Sequence, residues 1–93
     1  MTITQIDNTT NGTFQAKEGD VIAGEMTYSW ITTNKISVDH TEVNSDFSGK
    51  GVGKLLLMDL VKFARKNNIK VVPLCSYVKS VFDKVEEIRD VLS

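Results

Sequence analysis

Residues 35–74 read KISVDHTEVNSDFSGKGVGKLLLMDLVKFARKNNIKVVPL, and a change of hydrophobic period inside this stretch decides the fold. Lys35–Val43 alternates. Ile36 and Val38, with His40 continuing the row, fall on one side and Ser37, Asp39 and Thr41 on the other, which predicts a strand. From Val52 the spacing becomes helical: Val52, Leu55, Leu56, Leu60, Phe63 and Ala64 recur at three- and four-residue steps. Lys54, Asp59, Lys62 and Arg65 lie mostly on the opposite side, and Asn67-Asn68 ends the helix. Ile69–Leu74 is a compact apolar run suited to a covered strand. Strand 35–43, helix 52–67 and strand 69–74 make a β-α-β unit with parallel neighbouring strands and a right-handed crossover.

Upstream, Thr2–Asp7, Thr13–Lys17 and Val21–Trp30 read as strands. They are separated by the polar turn Asn8–Gly12 and the connection Glu18-Gly19-Asp20, and Thr32-Thr33-Asn34 turns the chain into strand 35–43. Downstream, Val78, Val81, Phe82, Val85, Ile88 and Leu92 carry a weaker helical spacing that predicts one closing helix. The expected architecture is α/β, strictly α+β-like: a mixed, mainly antiparallel sheet with one β-α-β unit and a C-terminal helix, in a single domain over residues 1–93.

Composition narrows the function classes. Eleven basic and twelve acidic side chains give a net charge of −1, which argues against a nucleic-acid binder that works through its overall field. The most apolar stretch, Val52–Ala64, is broken by Lys54, Asp59 and Lys62, so no membrane span is expected. The N-terminus is polar from Thr2 onward, without the apolar run of a signal peptide, and a cytoplasmic protein is expected. One histidine and one cysteine cannot build a Cys/His zinc site, the carboxylates show no calcium-loop spacing, and no metal is expected. A chain this short buries roughly 60–65% of its unfolded surface, enough for one core but not for a deep enclosed site.

Three of the six glycines lie in Gly49-Lys50-Gly51-Val52-Gly53, between a predicted strand and a predicted helix. Residues without a Cβ let successive N–H groups turn toward an anion, and the start of a helix adds the positive end of its dipole. Lys50 and Lys54 can add charge at the rim, so the segment suits a pyrophosphate. The spacing is neither the P-loop nor the dinucleotide G-x-G-x-x-G pattern. A tight strand-to-helix corner with no ligand explains the glycines equally well.

In its context, Ser48-Gly49-Lys50-Gly51-Val52-Gly53 resembles the [RQ]-x-x-G-x-[GA] loop of the GCN5-related N-acetyltransferases, with Ser48 where arginine or glutamine is usual. The match is more specific with the small stand-alone branch of that family. Its skeleton reads here as Tyr28, His40-Thr41-Glu42-Val43, the Gly-Lys-Gly at 49–51 and Pro73-Leu74-Cys75-Ser76-Tyr77-Val78, over roughly residues 12–85. The resemblance implies a minimal acetyltransferase fold and acetyl-CoA as cosubstrate. It further implies that Ser48–Lys54 hold the pyrophosphate, that main-chain groups of Val43 pair with the pantetheine arm, and that splayed strands ending at Val43 and Leu74 grip it. Acetyl then passes to an amine, of a small molecule or a protein, on a face left open or completed by a second subunit. A monomer or a weak homodimer is expected.

Three side chains are candidates for chemistry. Cys75 follows strand 69–74, where a thiol could accept acetyl or relay a proton, although a lone cysteine also serves as a small core residue. His40 is the candidate base or a hydrogen-bonded core residue. Tyr77 is a candidate proton donor to the departing thiolate, because the position where larger relatives carry a tyrosine falls at Phe82. Tyr28, Trp30 and Phe47 line the cleft or belong to the core. Two rivals stand beside the enzyme reading: a non-catalytic CoA-binding sensor or regulator, favoured by Ser48 and Phe82, and a phosphate- or RNA-binding domain unrelated to CoA.

Overall fold

The computed structural model describes all residues 1–93. Its strands are β1 (Thr2–Asp7), β2 (Asn11–Glu18), β3 (Val21–Thr32), β4 (Lys35–Val43) and β5 (Lys70–Pro73). The helices are α1 (Val52–Lys66) and α2 (Ser76–Lys84), with single 3₁₀ segments at Ser45–Phe47 and Glu86–Val91. The five strands form one sheet in the order β1-β2-β3-β4-β5. The first four pair antiparallel and β5 lies parallel to β4, as the β-α-β reading requires.

Both helices bury their apolar stripes against one face of the sheet. Leu56, Leu57, Leu60, Val61 and Ala64 of α1 meet Phe14, Met26, Tyr28, Ile36 and Val38, and α2 adds Val78 and Phe82. Leu55, placed on the buried stripe by its spacing, is instead 47% exposed, and Leu57 takes the inward position. Gly24 lets α1 approach closely: a Cβ there would lie 2.9 Å from Val52 Cγ1. Each fully buried leucine contributes roughly 1.5–3 kcal/mol relative to an exposed one.

The expected closing helix is two pieces. Val85 adopts φ −112°, ψ 96°, which stops α2. Arg89 then reaches back, its Nε donating to Phe82 O at 2.8 Å and its Nη2 to Asp83 O at 2.6 Å, so carbonyls that would continue the helix are capped. Beyond the second piece, Ser93 N–H donates to Val71 O at 2.9 Å, so the C-terminal segment covers the outer edge of β5.

One irregularity governs everything at the site. Val38 pairs with Tyr28 but His40 pairs with Thr27, so Asp39 is an extra residue in β4, a β-bulge. The hydroxyls of Ser37 and Ser29 donate to the two oxygens of Asp39, at 2.7 and 2.5 Å, and hold it outward. The bulge reverses the alternation beyond it. His40 therefore shares the solvent face with Thr27 and is exposed, and Thr41, opposite buried Met26, turns to the helix side. The expected row Ile36–Val38–His40 breaks after Val38.

Candidate functional site

Strands β4 and β5 pair only from Lys35–Lys70 to Val38–Pro73. The Val38 carbonyl ends the ladder by accepting the N–H groups of Leu74 at 3.1 Å and Cys75 at 2.9 Å. Past that point the chain leaves the sheet for α2, while β4 runs on to Val43. The two strands splay, and the end of β4 has no neighbour on that side. Asn44 gives its N–H to Ala23 O at 2.8 Å, toward β3. By strand alternation, Val43 turns its own N–H and C=O toward the opening.

The glycine loop closes one end of the opening. Asn44 caps the 3₁₀ turn by accepting Asp46 N–H at 3.0 Å. Gly49 and Gly51 then take φ of 78° and 75°, with empty space where a Cβ would stand. Backbone conformation, not crowding, demands glycine at both positions. Gly51 is the N-cap of α1 and has no side chain to cap it, and no acidic residue occupies the first turn. The amides of Val52, Gly53 and Lys54 are therefore free to meet an anion.

Gly53 has a different constraint: a Cβ there would lie 3.0 Å from Cε2, Cζ and Oη of Tyr77. The Tyr77 ring thus rests against the first turn of α1. Together Thr41, Val43, Ser48, Gly49, Gly51, Val52, Gly53, Phe47 and Tyr77 wall an open cleft of about 430 Å³. Lys50 and Lys54 do not line it. Lys50 Nζ lies 5.5 Å from the centre of the Phe47 ring, and Lys54 is exposed.

Cys75 is the N-cap residue of α2 and is half-buried. Its Sγ donates to Thr41 Oγ1 at 3.4 Å. Burial alone would push the thiol up. In the thiolate the Thr41 hydroxyl turns to donate instead, and with hydrogen bonds from the amides of Val78, Tyr77 and Thr41 it outweighs burial and holds the pKa below the ordinary thiol value. Tyr77 moves the other way, raised by burial and by the charge of a Cys75 thiolate, so its hydroxyl stays protonated at neutral pH.

The bulge separates residues that the alternation had put together. His40 stands outside the cleft, and Thr41 takes the place beside Cys75. Sequence reading missed Thr41 because nothing in the Ser37–Asp39 segment announces an extra residue. On the outer face, Glu25 and Glu42 sit directly opposite each other and line a second cleft of about 390 Å³ that shares Val43 with the first. Neither carboxylate has an ion-pair partner. Phe82 is 1% exposed in the core and has no proton to give, and Tyr28 is also core. Trp30 lies toward the other end of the sheet. No group of three or more His, Cys, Asp or Glu side chains is arranged to hold a metal ion, and no helix is long and apolar enough to cross a membrane.

No curated protein matches the chain. Among solved structures, a GCN5-like protein from Staphylococcus aureus, determined by NMR, is 32% identical; the alignment covers 97% of this chain and 87% of that one, with a TM-score of 0.72. A ribosomal-protein-alanine N-acetyltransferase from Brucella melitensis shares the fold at 19% identity and a TM-score of 0.68, over 84% of this chain and 62% of that one. A family acetyltransferase from Elizabethkingia anophelis with acetyl-CoA bound shares it at 20% identity and a TM-score of 0.65, over 82% of this chain and 52% of the longer one. The family described as GCN5-related N-acetyl-transferase matches residues 13–91, nearly the whole chain, which therefore belongs to the GCN5-related N-acetyltransferases.

Proposed function

We propose that this protein binds acetyl-CoA in the opening between β4 and β5 and transfers the acetyl group to an amine. The observation that carries this reading is the geometry of the opening. A bare strand end and uncapped helix amides face one open cleft, and the Cys75 thiol touches Thr41 of its wall. The α1 amides and the left-handed glycines would hold the pyrophosphate, Lys50 and Lys54 adding charge from the rim. Serine at 48 supplies no guanidinium, so the main chain carries most of that contact. Val43 would pair with the pantetheine arm as an added strand.

Acetyl-CoA supplies an activated thioester, whose C–S bond breaks as the new C–N bond forms. The Val43 N–H can polarise the acyl carbonyl. The Tyr77 hydroxyl, protonated and beside Gly53, is placed to return a proton to the departing thiolate. His40 lies on the face of Glu25 and Glu42, where two unpaired carboxylates favour an ammonium and an imidazole can take its proton. Cys75 has two chemically distinct roles open to it: accepting the acetyl group, or relaying a proton through Thr41. The second reading, a module that binds CoA without transfer, draws on Ser48 and the buried Phe82.

An NMR titration with acetyl-CoA tests binding, and intact mass tests chemistry. Shifts confined to Val43, Gly49–Lys54, Cys75 and Tyr77 are expected. An increase of about 42 Da that Cys75→Ala abolishes identifies acetyl-cysteine. Transfer to a panel of amines that survives Cys75→Ala at the parental rate rules out both roles, whereas slowed transfer with no acetyl-cysteine in the parent assigns the thiol the relay role. Binding with no transfer to any amine leaves the sensor reading, and no shift at ~1 mM acetyl-CoA defeats both.

A further inference from the structure

At the far end of the sheet from the glycine loop, Asp7 is gripped by three donors. Thr9 N–H donates at 2.7 Å, Trp30 Nε1–H at 2.9 Å and the Tyr28 hydroxyl at 2.5 Å. The carboxylate is thus fixed in position, and no lysine or arginine is paired with it. Two clefts, of about 640 and 450 Å³, flank it and share Asp7, Trp30 and Thr33 as walls. No basic side chain lines either one.

The remaining polar groups are oriented in one sense. Gln5 turns its amide nitrogen inward, Nε2 donating to the Tyr28 hydroxyl at 2.8 Å, which leaves Oε1 for the cleft. Asn67 does likewise, Nδ2 donating to Phe63 O at 2.9 Å and leaving Oδ1. The indole N–H of Trp30 is committed to Asp7. Each of the two amides commits one N–H inside the protein, while three acceptors, one of them charged, line the larger cleft. Beside them the rings of Trp30 and Phe63 meet at 76° with centres 6.2 Å apart, forming an aromatic corner.

A negative, acceptor-rich cleft with an aromatic wall suits a cation that carries several N–H groups on an apolar stem. We propose that this corner is a second binding site, for an alkylammonium or alkylguanidinium group, held by Asp7 and the carbonyl oxygens of Gln5 and Asn67 with its stem against Trp30. Such a group is carried equally by a free amine and by a lysine or arginine side chain of a polypeptide. The site is distinct from the acetyl-CoA cleft. Trp30 lies six positions along β3 from Gly24, the partner of Val43, roughly 20 Å at strand rise. Its fate is independent of the transfer reading.

Trp30 is the only tryptophan, so its fluorescence reports the site directly. Titration with n-butylguanidinium is expected to give a saturable change with half-saturation at ~1–10 mM, and the neutral isostere n-butylurea is expected to give none. Thr33→Lys, on an exposed turn, offers Asp7 an internal ammonium and should raise half-saturation at least about tenfold with an unchanged circular-dichroism spectrum. Asn67→Asp adds a second charge and should lower it about threefold. A short peptide with one arginine among glycines and serines distinguishes the sources: binding tenfold tighter than butylguanidinium assigns a polypeptide ligand, and equal binding a small cation. An equal response to butylurea, indifference of both variants, or no saturation by ~50 mM overturns the proposal.

Discussion

Two glycines only two residues apart, Gly51 and Gly53, should separate stability from ligand binding. At Gly51 φ is 75° and nothing lies within 4 Å of a built Cβ, so alanine meets only backbone strain. Left-handed conformation costs an L-residue roughly 1–2 kcal/mol. At about 4–8 °C of Tm per kcal/mol for a domain of this size, Gly51→Ala should melt well below the parent. Gly51→Asn, whose side chain tolerates this conformation, should recover part of the loss. Gly53 lies inside α1, where alanine gains up to roughly 0.8–1.0 kcal/mol of helix propensity. Against that gain, a methyl 3.0 Å from Cε2, Cζ and Oη of Tyr77 must push the ring outward. The ring is 38% exposed and can yield, at an off-rotamer cost of roughly 0.5–1.5 kcal/mol. The two effects nearly cancel to within about 0.7 kcal/mol, so Gly53→Ala should keep its Tm within about 6 °C of the parent. Its methyl, however, stands among the amides proposed to meet the pyrophosphate and displaces the proposed proton donor. Calorimetric titration with acetyl-CoA should show at least about a tenfold weaker Kd, equivalent to about 1.4 kcal/mol. Parental affinity in a folded Gly53→Ala protein would refute the placement of the phosphate, and an unchanged Tm in Gly51→Ala would refute the strain argument.

Three further outcomes follow from the same geometry. Because the Thr41 hydroxyl and three amides favour the thiolate, iodoacetamide should modify Cys75 with a half-maximal rate at a pH below the ordinary thiol value of 9.0, and Thr41→Val should move that midpoint upward. Gly12→Ala would place a Cβ 2.3 Å from Cζ and Oη of Tyr28, so it should destabilise by about 1–3 kcal/mol in urea unfolding and break the Tyr28–Asp7 bond. Burial first, and then Asp7, raise the Tyr28 pKa to about 12 from 10.0, so its stabilising effect is complete below pH 10 and lost as pH climbs through 12. Urea midpoints should therefore fall over that window, and Tyr28→Phe should flatten the fall.

The β-α-β unit was legible because its three segments differ in period, and Lys35–Val43 and the start of α1 at Val52 fall where the pattern puts them. The glycine loop was legible because left-handed φ has almost one solution in residue choice, and Gly49 and Gly51 both use it. What stayed hidden depended on pairing between distant segments. The bulge at Asp39 is defined by the register of β4 against β3, and its supporting hydroxyl on Ser29 lies ten residues away. The break at Val85 depends on Arg89 reaching back to Phe82 and Asp83, a contact that a helical spacing of apolar residues does not record. Leu55 and Leu57 exchanged places because three consecutive leucines fit either stripe until the sheet selects one.

That single inserted residue also decides which chemistry each side of β4 can perform. Without it, strict alternation would set His40 beside Cys75 and turn Thr41 to solvent, giving a cysteine–histidine pair on the cofactor side. With it, the thiol faces a hydroxyl and three amides, an environment that stabilises thiolate without supplying a titrating base. His40 moves to the face that carries Glu25 and Glu42. Under the proposed transfer, the amine would be deprotonated on one side of β4 and the thiolate protonated on the other, with Val43 at their common wall. Moving the bulge should therefore damage transfer far more than binding, because the Val43 main chain stays while the side chains change sides. Ser37→Ala with Ser29→Ala removes both hydroxyls from Asp39 and is the mildest way to loosen it. The double variant should keep acetyl-CoA affinity within about threefold while turnover falls at least about tenfold. Equal losses in both would mean that the bulge serves only to shape the cleft.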